Sequence, residues 1–167
     1  CEKPTVLEGS FDIKVDGVTV KNFKITNTGN SDEIEGIFID GNTGYVDDPN
    51  KVIEISSNII DGINSTSSEV VAEGIHVKSY DSGDQINGVL IKENIIKNIT
   101  KSDWGANGIK LQANVSNITI LSNKIQDVRG TWSYGVTSTQ SSLEEGIPKN
   151  VDVKHNILKN ITASTYD

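Results

Sequence analysis

The stretch "ITILSNKIQDV", Ile118 to Val128, carries apolar residues at Ile118, Ile120, Ile125 and Val128 with Asn123 set among them. Apolar side chains two apart mark a half-buried strand, so an amide at a position that turns inward needs a reason. The chain repeats the arrangement. "IEISSNIIDGI" starts at Ile53, "VLIKENIIKNI" at Val89 and "VDVKHNILKNI" at Val151, each with its asparagine in the same place. Aligned on Asn58, Asn94, Asn123 and Asn156, the units share apolar residues five and three positions before the amide and two and five after it. A shorter copy, "VTVKNFKI", starts at Val18, and successive unit starts are then 35, 36, 29 and 33 residues apart.

Each unit holds a second signal, a glycine followed by alternation. It reads "GIFID" from Gly36, "GIHVK" from Gly74, "GIKLQ" from Gly108 and "GVTST" from Gly135. The intervals between are rich in Ser, Asn, Asp and Gly, as loops are. Strands recurring at a fixed offset stack in parallel about 4.8 Å apart, and a turn residue of one coil lies over its counterpart in the next. The four asparagines are therefore predicted to form a ladder at a bend, bonding to each other and to turn backbone that would otherwise be buried without partners. Asparagine tolerates left-handed backbone, which the reading assigns to these same corners.

Composition agrees with strands in one globular domain of 167 residues, 35% apolar and 23% charged. Isoleucine and valine dominate the apolar set and methionine is absent, which suits a pleated surface. A formal charge of -8 and a single arginine, Arg129, argue against nucleic acid as a partner, since that affinity rests on clustered Lys and Arg. No apolar run approaches the roughly 18 residues of a membrane span. Cys1 is the only cysteine; it reads either as a lipoprotein anchor or as a cut point.

The phrases "DGVTVKNFKITNTG", "GIFIDGN" and "NITILSNKI" resemble the parallel β-helix repeats of the pectin lyase-like superfamily across nearly the whole chain. The resemblance implies an all-β, right-handed parallel β-helix solenoid of about five coils. The rival is a leucine-rich repeat, whose consensus Ile118, Ile120, Asn123 and Ile125 also match. Few leucines, longer steps and the second glycine-led strand count against it. The chain begins with a coil-like segment and stops where another glycine-led strand is due, so it is expected to be a segment of a longer β-helix or a subunit that self-associates through its end coils.

Alternation in the glycine-led strands sends Ile37, Ile75, Ile109 and Val136 inward and Phe38, His76, Lys110 and Thr137 outward, followed by Asp40, Lys78, Gln112 and Thr139. The nearby loops carry Tyr45, Trp104, Trp132 and Tyr134. Exposed aromatics of this kind stack on sugar rings, so Phe38, Asp40, His76, Lys110, Trp104, Trp132 and Tyr134 are the expected contacts to a polysaccharide or cell-surface glycan. In the resembled superfamily the substrate groove commonly runs over such a face. The sequence names no catalytic residue outright; for a lyase, Lys78, Lys110 and His76 are the candidates, with Asp40, Asp47, Asp48, Asp81 and Asp84 as conceivable Ca²⁺ ligands and no cofactor otherwise expected. The arginine-bearing lyase motif and the aspartate series of polygalacturonases are missing from the sequence. A non-catalytic extracellular or cell-surface module with a structural or adhesive role is the leading expectation, and a polysaccharide lyase or hydrolase the alternative. Only two histidines occur, His76 and His155, on different strands of the repeat, which argues against a histidine-based zinc site.

Overall fold

A computed structural model of the chain describes residues 3–29, 34–41, 51–67, 71–79, 86–140 and 146–164. The strands come in threes. The first coil is β1 (Thr5–Glu8), β2 (Phe11–Ile13) and β3 (Thr19–Lys21); the second is β4 (Phe23–Gly29), β5 (Ile34–Asp40) and β6 (Ile53–Ser56). The third comprises β7 (Ile59–Ser65), β8 (Ala72–Lys78) and β9 (Ile86–Lys92), the fourth β10 (Ile95–Lys101), β11 (Gly105–Gln112) and β12 (Val115–Leu121). The fifth runs β13 (Lys124–Gly130), β14 (Trp132–Thr139) and β15 (Lys149–Lys154), and β16 (Ile157–Ala163) follows.

Every third strand pairs in parallel with its counterpart one coil away. The first sheet is ordered β1-β4-β7-β10-β13-β16, the second β2-β5-β8-β11-β14 and the third β3-β6-β9-β12-β15. Three parallel sheets wound in sequence order make a parallel β-helix solenoid of about five coils. Among the described residues no helix is long and apolar enough to cross a membrane.

The interior is a set of aliphatic columns. Ile25, Ile60, Ile96 and Ile125 stack in register in the first sheet, Ile37, Ile75 and Ile109 in the second, and Ile55, Ile91 and Ile120 in the third. All are fully buried. Among the described residues the same columns end in Leu158 and Val153, which are exposed.

Spacing within the first sheet requires a backbone irregularity that alternation alone does not supply. Ile60 and Ile63, three apart, are both buried in the core, as are Ile96 with Ile99 and Ile125 with Val128. Strict alternation would send one of each pair outward. Gly62, Asn98, Asp127 and Asn160 reset it, with φ of 80°, 55°, 56° and 53°.

The ladder runs through Asn58, Asn94, Asn123 and Asn156. Each of the first three donates both its backbone N–H and its Nδ2 to the Oδ1 of the next, at 2.8 to 3.1 Å. Each Nδ2 also donates to a strand carbonyl, Val20 for Asn58, Ile55 for Asn94, Ile91 for Asn123 and Ile120 for Asn156. One expectation is corrected here. The left-handed residues at this corner are Asn22, Ser57, Glu93, Ser122 and His155, with φ of 54° to 63°, each one position before the ladder column. The preceding residue makes the turn so that the amide itself can face inward.

The glycines of the second sheet answer to space. A Cβ on Gly36, Gly74 or Gly108 would sit 2.8, 2.5 or 2.5 Å from the carbonyl oxygen of the glycine one coil on, Gly74, Gly108 or Gly135. It would also lie within 2.7 Å of Cγ2 of Ile60, Ile96 or Ile125. Only glycine lets the second sheet close this tightly on the first.

Candidate functional site

The outer face of the second sheet gathers most of the chain's unusual chemistry. Parallel register places Phe38 beside His76, His76 beside Lys110 and Lys110 beside Thr137. One residue ahead of the glycines, Glu35 pairs with Glu73, Glu73 with Asn107 and Asn107 with Tyr134. Gly74 and Ile75 both face the core, and this break in alternation puts Glu73 and His76 on the same side although the two are three residues apart.

His76 is on the outward side in register with Lys110, but the expectation that it is exposed is wrong. The ring has no solvent-accessible surface. Phe38 covers one side, its ring centroid 5.3 Å away, and polar groups enclose the edge. Nε2 lies 3.2 Å from Oε1 of Gln112, which makes Nε2 the donor. Nδ1 faces Oε2 of Glu73 at 2.6 Å and Oε1 of Glu35 at 3.5 Å. The other oxygen of Glu73, Oε1, accepts from Lys110 Nζ at 2.9 Å and from Asn107 Nδ2 at 3.2 Å.

Burial disfavours a charged Glu73, yet the His76 and Lys110 charges more than offset it and hold the carboxyl down at about 2. Burial also disfavours a protonated His76, and the negative charge of Glu73 overrides that, so its pKa is raised. Both shifts arise from groups packed too tightly for water to screen them. Lys110, read from sequence as a base, is committed to Glu73 with only 13% of its side chain exposed. Lys78 is partly exposed and opposite Asp40 and Gln112 in register, while Asp40 is buried with Lys14 Nζ 3.6 Å from it.

Beyond Lys110 the face changes character. Trp104, in the bend before β11, and Trp132, at the start of β14, meet edge to face with centroids 5.1 Å apart and planes at 68°. They are 39% and 51% exposed, and Tyr134 is 51% exposed. A shallow groove beside them is lined by Val71, Asn107, Lys110, Trp132, Tyr134 and Thr137. Lys110 thus joins the buried cluster to the aromatic ledge.

No family model matches the chain, and no curated protein or solved structure does. The site is therefore read from its own geometry. Tyr45, Asp47, Asp48, Asp81 and Asp84, proposed from sequence as an aromatic contact and as Ca²⁺ ligands, lie outside the described residues, as does Cys1. Glu35 and Glu73 were missed. The signal was present, because "EGIFID" and "EGIHVK" share a glutamate before the glycine, and counting the strand from the glycine leaves it out.

Proposed function

We propose that the protein is an extracellular or cell-surface β-helix module, akin to the pectin lyase-like solenoids its repeats resemble, that binds carbohydrate on the outer face of the second sheet. The observation that carries this reading is the exposed pair Trp104 and Trp132 with Tyr134 beside the Lys110 groove. Large rigid rings left half in water on a sheet rim offer flat apolar faces to sugar rings, and Lys110 and Asn107 offer donors to hydroxyl or carboxylate oxygens. The acidic charge, the single cysteine and the Ser-, Thr- and Asn-rich loops support an extracellular setting.

The alternative of a polysaccharide lyase or hydrolase on this face has less support. A base must reach the proton it abstracts, whereas His76 is sealed and the Lys110 ammonium rests on Glu73.

The test is a glycan array that includes uronic-acid polymers, probed with the wild type and with Trp104→Ala/Trp132→Ala. Binding by the wild type that falls at least tenfold in the double variant, with an unchanged circular dichroism spectrum, is expected. Binding unchanged by the double substitution places sugar recognition elsewhere. Absence of any glycan binding removes the carbohydrate reading and leaves a structural module.

A further inference from the structure

We infer that Glu35, Glu73 and His76 form a site for a divalent transition-metal ion, with Zn²⁺ as the representative case. The three side chains are all buried, and one ligand atom from each lies within 4.8 Å of the others. Two of those atoms, Nδ1 of His76 and Oε2 of Glu73, are buried without a hydrogen-bond partner. They stand 2.6 Å apart as an ion pair, and an ion bound to both takes the place of the proton between them. Polar atoms sealed from water are normally satisfied, and a cation between them satisfies both at once.

The surroundings are those a metal ligand needs. A ligating histidine donates its second ring N–H to a fixed acceptor, which orients the ring and leaves the other nitrogen's lone pair on the metal. Gln112 Oε1 is that acceptor, and Nδ1 is the nitrogen it frees. A ligating carboxylate is likewise held by its second oxygen, as Lys110 and Asn107 hold Oε1 of Glu73. Zn²⁺ binds imidazole nitrogen and carboxylate oxygen at about 2.0 to 2.2 Å, which puts ligands sharing one ion about 3 Å or more apart. The 3.5 Å and 2.6 Å separations of Nδ1 from the two carboxylates bracket that spacing. Three protein ligands leave a fourth position for water. The nitrogen ligand favours zinc, cobalt or nickel over Ca²⁺, which takes oxygen.

This inference stands apart from sugar recognition, since none of its ligands belongs to the aromatic ledge. The experiment is titration of the chelator-stripped chain with Co²⁺, read by visible d–d absorbance, then displacement by Zn²⁺. One equivalent bound, displaced by Zn²⁺ and resistant to excess Ca²⁺, is expected. Glu35→Gln, at the rim of the cluster, should weaken binding at least tenfold, and Glu73→Gln should abolish it. His155→Gln, at the exposed bend after β15, should leave it unchanged. Side-chain ¹⁵N spectra of the wild type provide a second readout that does not depend on the folding of the Glu73 variant, and in them Zn²⁺ should shift Nδ1 of His76 while Nε2 stays protonated. Failure to bind Co²⁺ stoichiometrically, binding indifferent to Glu35→Gln, or an unshifted His76 Nδ1 at saturating Zn²⁺ would overturn the assignment.

Discussion

At the scale of single residues, the ladder asparagines show how much one amide can hold. Asn94 accepts from the backbone and side chain of Asn58, and donates to Ile55 and Asn123. Replacing it by Ala leaves several of these buried groups unpaired, each of which costs about 1 to 3 kcal/mol. Asn94→Ala should therefore destabilise by about 3 kcal/mol, seen as a lower urea midpoint at constant slope. A loss under about 1 kcal/mol would mean that water enters the corner and replaces the amide. The ladder was legible because its asparagine sits at a fixed offset from apolar residues on both sides. The left-handed residue before it was not, because Ser57, Glu93, Ser122 and His155 share no side-chain character that announces such a turn. The Glu73 and His76 pair was hidden for another reason. Residues three apart on a regular strand face opposite ways, and the two successive inward positions Gly74 and Ile75 bring this pair to one side.

At the scale of strands, the second sheet depends on glycine where it approaches the first. Gly108→Ala would force a Cβ to 2.5 Å from both Gly135 O and Ile125 Cγ2, so β11 must part from β14 or from the core. Overpacking of this kind typically costs about 1 to 3 kcal/mol. Gly105, on the same strand, is the control, since its nearest atoms would be 3.5 Å or more away, and Gly105→Ala should change stability by no more than about 0.5 kcal/mol. Thermal unfolding of the two variants separates them, and equal melting temperatures would show that the glycine column is not a packing requirement. Sequence conveyed that a glycine opens each of these strands without conveying why. The clash is with the next coil, some 30 residues away in the chain, and a local reading has no access to it.

The whole molecule is a one-dimensional stack in which each coil contacts its neighbours, so its stability is a sum of coil and interface terms. Backbone amides of β7 and β10 lie between coils on both sides, whereas β16 has a neighbour on one side and is largely exposed. Hydrogen exchange of the 167-residue chain should accordingly be slowest in β7 and β10 and faster by orders of magnitude in β16. Uniform exchange along the stack would indicate all-or-none opening of the solenoid. The coil count and the parallel pairing follow from the repeat alone, whereas the exposure of each face depends on which side chains from neighbouring coils cover it. Phe38 and Glu35 from the preceding coil and Gln112 from the next shut in His76, beyond the reach of alternation along β8. The asparagine column carries one more property of the whole. Asn58, Asn94 and Asn123 each donate one side-chain N–H to the Oδ1 one coil on, so the side-chain bonds of the column run one way and polarise one another. Bonds to the backbone carbonyls of Asn58, Asn94 and Asn123 run the opposite way, with Ile95, Lys124 and Ile157 as donors, so the corner is a pair of counter-running hydrogen-bond chains, and a coil inserted upside down could join neither.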